Sequence, residues 1–194
     1  MRLVLATRNP HKLNELSELL DPLELVALPD AVALPPETGT TFAENALVKA
    51  RTASLASAGP AIADDSGIEA RALGGAPGVH SARFAGEHAS DADNLARLLR
   101  ELEGHDDRTV AYSCVLAYVA PGGEQACFEG RCEGTLALAP RGAGGFGYDP
   151  AFLPDGAGGR TMAELSATEK HVLSHRGRAA RSFKAWLAEL RASQ

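Results

Sequence analysis

"PAIADDSGIE", residues 60–69, begins as an apolar run and ends on two adjacent aspartates, a serine and a glycine. Ala61, Ile62 and Ala63 read as a buried strand, with Asp64 and Asp65 placed at its end. Two like charges at one spot repel, and each loses hydration among apolar neighbours. Such a pair either sits in a solvated D-S-G turn or meets something positive. A hard cation would serve, because Mg2+ favours a few carboxylates completed by water and substrate phosphates. Both readings stay open at this point.

Outward from this stretch, strands and helices alternate. "RLVLAT" (2–7) reads as a buried strand, followed by a helix with Leu13, Leu16, Leu19 and Leu20 at helical spacing and Pro10 in its first turn. "LELVAL" (23–28) is a short strand leading into a proline-rich loop (29–40). Thr41 and Glu44 form a T-x-x-E capping box that opens a helix to about Ser57. "IEARAL" (68–73) reads as a strand after the aspartates, and "GGAPGVHSARFAG" (74–86) as a Gly/Pro-rich connection. Ser90 begins a helix carrying Leu95, Leu98, Leu99 and Leu102 on one side. "TVAYSCVLAYV" (109–119) and "EQACFEG" (124–130) flank a Pro-Gly-Gly turn and predict a hairpin; "RCEGTLALAP" (131–140) supplies another strand. A glycine-rich loop (141–152) follows, and from Ser174 the residues Ala179, Ala180, Phe183, Leu187 and Leu190 mark an amphipathic closing helix. This order indicates an α/β protein with a mixed sheet.

The 194 residues suit one domain, or one domain with two lobes. Three cysteines with no zinc spacing, and no secretory signal, point to reduced thiols in the cytoplasm. The apolar runs are too short for a membrane span. A net charge of −6 argues against broad nucleic-acid binding, yet the charge is uneven. Arg160 to Arg191 holds seven Lys/Arg against three Asp/Glu, on a body that is otherwise acidic. That basic tail is either a solvated helix face or half of a site for a polyanion.

Several places carry candidate chemistry, each with an ordinary alternative. Thr7, Asn9 and Lys12 lie where backbone N–H groups at a helix start attract anions, although a capping Asn beside a surface Lys looks the same. Glu44 is either the third residue of a capping box or a Mg2+ ligand at that helix start. Asn45 and Lys49 share a helix face and reach either phosphate or solvent. In "GGFGYDP", Phe146 is suited to stack on a base and Asp149 to read its edge, unless the glycines merely permit unusual backbone angles. Lys170, His175, Arg176, Arg178 and Arg181 form either a cationic face or a set for phosphate binding and base reading. No Ser-His-Asp order and no histidine metal cluster stands out.

Together and in this order, the motifs are specific. "TRNPHK" (7–12), "TFAENALVKAR" (41–51), "ADDSGIEARALGGAPGVHSARFAG" (63–86), "FEGRCEG" (128–134), "GGFGYDPAF" (144–152) and "MAELSATEKHVLSHRGRA" (162–179) span nearly the whole chain. The sequence closely resembles the inosine/xanthosine triphosphate pyrophosphatase family, whose members remove nonstandard purine nucleotides. The resemblance implies a single domain over residues 1–194: an elongated mixed sheet bent across two lobes, flanked by helices, with the active site in the central cleft. It also implies a homodimer, Mg2+ dependence, and hydrolysis of ITP, dITP or XTP to the monophosphate and pyrophosphate by water attacking the α-phosphorus.

Carried over by position, Thr7, Arg8, Asn9, Pro10, His11 and Lys12 match the phosphate-binding loop. Glu44 and Asp65 match the metal-binding carboxylates, Asp65 also the proton acceptor, and Ser66 a substrate contact. Phe146, Gly147, Tyr148 and Asp149 match the base-binding loop, and Lys170, His175 and Arg176 further substrate contacts. Lys12, Lys49, Lys170 and Mg2+ would together offset the roughly four negative charges of a triphosphate. In this picture Asp64 supports the site rather than binding metal. Departures are few: His80 and Phe84 stand where members often carry tyrosine, and His171 where asparagine is frequent. Rival readings are a septum-inhibitor-type nucleotide pyrophosphatase with other substrates and a nucleotide-binding regulator without turnover. A nucleic-acid-binding module fits least, given the acidic balance.

Overall fold

The computed structural model describes residues 1–192 as a mixed α/β fold. β1 (Arg2–Leu5) turns at Thr7–Asn9 into α1 (Pro10–Leu19). The Asn9 side chain accepts from the His11 and Lys12 N–H groups, and Pro10 occupies the first turn, where a missing N–H is no loss. β2 (Glu24–Ala27) then pairs parallel with β1. α2 (Phe42–Ser57) opens on the expected capping box, Thr41 Oγ accepting from the Glu44 N–H and the Glu44 carboxylate accepting from the Thr41 N–H. β3 (Ala61–Ala70), α3 (Asp91–Glu101), β4 (Thr109–Val119), β5 (Gln125–Leu136) and β6 (Phe152–Pro154) follow. α4 (Ala167–Leu173) and α5 (His175–Ala192) close the described chain. The strands form one sheet in the order β2-β1-β3-β4-β5-β6, with β1 parallel to β3 and β6 antiparallel to β5, hence a mixed sheet. Among the described residues no helix is long and apolar enough to cross a membrane.

Two strand boundaries differ from the sequence reading. Instead of two strands separated by a D-S-G turn, β3 runs unbroken through Asp64, Asp65, Ser66 and Gly67, and residues Arg71–Leu73 form a 3-10 turn. Successive side chains of a strand point to opposite faces, so the two aspartates need not share one environment. Each finds its own cation, and the chain gains nothing by turning. β5 likewise continues through Gly130 and Arg131, where two strands were expected. Its buried residues, Phe128, Gly130, Cys132, Gly134 and Leu136, alternate with exposed ones along its length, as one solvated face demands. Gly134 is required by proximity: a Cβ there would lie 2.2 Å from the Leu153 carbonyl oxygen of β6.

The chain divides into two compact units: Met1–Asp65, Cys114–Gly130 and the chain from Arg176; and Ser66–Ser113 with Arg131–His175. In the first, α1 and α5 bury Leu16, Leu20, Ala179 and Phe183 against Ile62, Cys114 and Leu116. On the alternate face α2 packs Ala46, Ala50 and Ala53 against Ala61, Ala63, Val115 and Ala117. The alanines let α2 approach the strands closely. In the second unit, Leu95, Leu98 and Leu102 of α3 pack with Ile68, Val110, Tyr112, Phe152 and Met162. Each leucine buried in this way contributes about 1.5–3 kcal/mol. The expected stripe on α3 is therefore its core face, with Leu99 at the margin.

Candidate active site

At the start of α1, the ordinary and the chemical readings coincide on the same atoms. Thr7 Oγ accepts from the Asn9 N–H (3.1 Å), and Asn9 Oδ1 accepts from His11 and Lys12 N–H (2.9 and 3.3 Å). The helix-start amides are thus capped by Asn9. Arg8 points elsewhere: its guanidinium donates to the carbonyls of Leu28, Pro29 and Val32 at 2.6–2.7 Å, tying the proline-rich loop to the β1–α1 turn. Lys12 reaches Asp64 Oδ2 at 3.1 Å.

Asp64 is 1% exposed and is held from two sides, by Lys12 and by the Arg176 guanidinium, whose Nε and Nη2 donate to Oδ2 at 3.2 and 3.0 Å. Arg176 completes the group by donating to Glu15 at 2.6 Å. Burial alone would raise the Asp64 pKa, but Lys12 and Arg176 outweigh it and hold the carboxyl well below the usual range. Arg176, itself 2% exposed, is therefore a structural counter-ion here. Its guanidinium bonds to Asp64 and Glu15. Glu15 is a member of this group that sequence reading missed; nothing but its place on the first helix marked it.

Asp65 meets different partners. Its Oδ2 accepts from Asn45 Nδ2 at 3.0 Å, and Lys49 Nζ lies 3.6 Å from Oδ1. Lys49 lies closer to Glu37, at 2.5 Å. Burial raises the Asp65 pKa; Lys49 pulls it down and Glu37 pushes it up, leaving the carboxyl above its ordinary value. Lys49 is buried, which opposes its charge, yet Asp65, Asp64 and Glu37 together raise its pKa. Neither Asn45 nor Lys49 is the solvated surface residue that the ordinary reading allowed. Asn45 Oδ1 also accepts from the Gly39 N–H (2.8 Å), and a Cβ at Gly39 would lie 2.6 Å from that oxygen. Glu44 behaves as a cap: Thr40 N–H, Thr40 Oγ and Thr41 N–H all donate to its Oε2, and the Thr40 N–H bond leads in lowering its pKa.

Glu37, Glu44, Asn45 and Lys49 line one pocket of about 130 Å³ with the 35–39 loop. Glu37 was missed in the sequence, where it reads as one more polar residue of a proline-rich loop. Among the described residues no three of His, Cys, Asp and Glu are gathered into a self-sufficient metal cage. Carboxylates such as those of Asp65, Glu37 and Glu44 are the donor type that a hard cation takes beside water and phosphate.

The second unit holds the other candidates. Asp149 Oδ2 accepts from Lys170 Nζ (2.7 Å) and from the Phe146 N–H (3.0 Å), and Lys170 Nζ stands 5.1 Å from the Phe146 ring centroid. Phe146, Asp149 and Lys170 thus form one group, a pairing the sequence reading did not anticipate. Gly145 makes it possible: a Cβ there would meet Asp149 Oδ2 at 2.1 Å, at a φ of +70°. Gly147 donates its N–H to Asp91 (2.8 Å). Tyr148 is buried, its hydroxyl donating to the Ser81 carbonyl at 2.7 Å, so its side chain braces the loop. Ser66 is half-buried on β3, next to Asp65. His175 is buried and stacked on Tyr112. Phe84 lies under the Arg97 guanidinium, 4.3 Å from its ring centroid. The basic tail splits: Lys170 and Arg176 are buried and paired, while Arg178, Arg181 and Lys184 are exposed.

Comparison with known proteins matches the chain to a family. The Ham1 family pattern matches residues 3–186. A dITP/XTP pyrophosphatase of Ralstonia nicotianae is 54% identical over 186 residues, 92% of each chain. One of Geobacillus kaustophilus is 50% identical over 185 residues, covering 91% of this chain and 89% of the relative. The solved structure of a HAM1 protein from Coxiella burnetii superposes with a TM-score of 0.88 at 41% identity, over 97% of this chain and 99% of that one. A match of this length and identity leaves one conclusion: the chain belongs to the Ham1 family.

Proposed function

We propose that this protein hydrolyses nonstandard purine nucleoside triphosphates (dITP, XTP and ITP) to the monophosphate and pyrophosphate. The relatives' shared activity supports this, and the observation that carries it is Asp65, a buried carboxylate with a raised pKa beside Lys49 and Asn45. A base with its pKa lifted toward neutrality is better matched to taking a proton from attacking water. Asn45 orients that carboxylate, and Lys49 balances its charge. Lys12 and Lys49 offset phosphate charge, and Asp64 with Arg176 holds Lys12 in place. Water attacks the α-phosphorus, Asp65 accepts its proton, and pyrophosphate leaves.

Asp65 and Glu44, joined by Glu37, are the residues to hold Mg2+, which when bound would polarise the phosphate and neutralise developing charge. Phe146 is assigned to stack on the base. Inosine and xanthosine present a 6-oxo acceptor where adenine presents an amino donor. A donor at His175 favours the oxo group, and a mismatched contact costs roughly 1–3 kcal/mol. A cytoplasmic homodimer that clears these nucleotides from the pool completes the reading.

The test is a chromatographic assay of purified protein with Mg2+, offering dITP, XTP, ATP, GTP and dTTP separately. Monophosphate and pyrophosphate from dITP and XTP, with ATP and GTP nearly untouched, is the expected result. Preference for dTTP would favour the septum-inhibitor type, and nucleotide binding without turnover a regulator. Orthophosphate with a diphosphate would refute attack at the α-phosphorus.

A further inference from the structure

Tyr112, on β4, touches two segments of the second unit that the functional reading assigns to the base. Its ring lies parallel to the His175 imidazole, with centroids 4.4 Å apart and planes 5° apart. Its Oη accepts from the Tyr148 N–H at 3.0 Å, in the middle of the Phe146–Asp149 loop. Phe152 fixes the ring from the side, edge-on at 4.9 Å. The brace continues through Tyr148 Oη to the Ser81 carbonyl, and Ser81 Oγ accepts from the Ile68 N–H of β3 at 2.9 Å. Tyr112 itself is 7% exposed.

We infer that Tyr112 is a positioning residue for base recognition, its ring setting the plane of the His175 imidazole and its hydroxyl setting the Phe146–Asp149 loop. The inference rests on the functional reading above. An imidazole turns freely about its terminal torsion unless something confines it. A parallel aromatic face does so, and thereby fixes where the ring nitrogens point. The hydroxyl satisfies the buried Tyr148 N–H, with Asp149 next on one side and Gly147, then Phe146, on the other. Neither function needs Tyr112 to touch the nucleotide.

The experiment uses the full chain as wild type, Tyr112→Phe, Tyr112→Leu, His175→Ala and the Tyr112→Leu/His175→Ala double variant. For each, kcat and KM are measured with dITP and with ATP. NMR records the His175 ring protons, assigned by their loss in His175→Ala. Tyr112→Phe keeps the stack and loses the acceptor, so the His175 protons keep their ring-current shielding while KM for dITP rises about three- to tenfold, more than kcat falls. Tyr112→Leu loses the shielding, and the preference for dITP over ATP drops about tenfold. In the His175→Ala background, Tyr112→Leu lowers that preference less than it does in wild type, because the ring it positions is gone and only the hydroxyl's hold on the Phe146–Asp149 loop is left to lose.

An unchanged dITP preference in Tyr112→Leu, or an effect that adds in full to that of His175→Ala, overturns the inference and leaves the activity standing. Should Tyr112→Leu fail to fold, Tyr112→Phe decides: a wild-type KM overturns the role of the hydroxyl. A wild type inert on every nucleotide refutes the functional reading and this inference with it, while the shielding still reports on the ring pair.

Discussion

On one face of β3 the Asp64 carboxylate meets Lys12 and Arg176; on the other, Asp65 meets Asn45 and Lys49, with Glu37 beyond. Both aspartates are buried, at 1% and 5% exposed, and both pay a desolvation penalty. Their pKa values nevertheless move in opposite directions: at Asp64 the paired Lys12 and Arg176 outweigh burial, whereas at Asp65 burial and Glu37 outweigh the pull of Lys49 and Lys12. The same side chain thus becomes a fixed anion on one face and a carboxyl of raised pKa on the other. The difference lies in the neighbours that α1, α2 and α5 bring to β3.

The sharpest way to break that comparison is to neutralise each aspartate in turn. Asp65→Asn is expected to lower kcat about 10²- to 10⁴-fold, the range for loss of a general base, with nucleotide binding still measurable and the melting temperature unchanged or higher. Turnover equal to wild type would remove Asp65 from the reaction. Asp64→Asn should act on the fold, destabilising it by about 3–5 kcal/mol in urea unfolding, since it strands a buried guanidinium. A stability within error of wild type would show that Glu15 alone suffices for Arg176. Asn45→Ala comes next: it removes the bond to Asp65 and leaves the Gly39 N–H without its acceptor, for about 1–3 kcal/mol of stability together with reduced turnover.

The two faces should also differ in the sign of their pH dependence. The folded-state pKa of Asp64 is depressed, so its contribution is fully present above the unfolded value of about 4 and is lost as pH falls through the folded value. Asp65 has a raised pKa, so its contribution is present below the unfolded value and lost as pH rises through the folded one. Urea midpoints between pH 3 and pH 7 (on the order of the carboxylate range) should therefore fall with acid less steeply in Asp64→Asn, and more steeply in Asp65→Asn, than in wild type. The smallest expected effect concerns the other carboxylates. Glu37→Gln and Glu44→Gln should each raise the Mg2+ needed for half-maximal turnover, Glu37→Gln the more, because Glu44 Oε2 is already occupied by its helix cap. The reverse order would return Glu44 to the first rank.

What could be read in the chain was what local chemistry dictates. Pro10, the Thr41–Glu44 box and the Ser90 cap each mark a helix start by satisfying N–H groups within a few residues, and all three stand where the sequence puts them. The leucine stripe of α3 follows from the same local period. The grouping of Phe146, Asp149 and Lys170 was not legible, because Asp149 and Lys170 stand 21 positions apart and nothing in the chain between them signals that the two side chains pair. Asp64–Asp65 misled as a strand end because a charge run normally marks solvent. Only the cations 52 and 112 positions away from Asp64, at Lys12 and Arg176, show that a strand can carry it. Glu15 and Glu37 were invisible for the same reason: nothing beside them in the chain reveals their partners.

The sequence by itself determined the helix starts, the alternating strands, the mixed α/β class and the identity of the residues available for chemistry, because capping and periodicity act over four residues or fewer. The tertiary structure decided which charge meets which. It placed Arg176 with Asp64, Lys49 between Glu37 and Asp65, and Tyr112 against His175. Coulombic pairing, desolvation and ring stacking depend on distance in space and on burial, and a linear chain records neither.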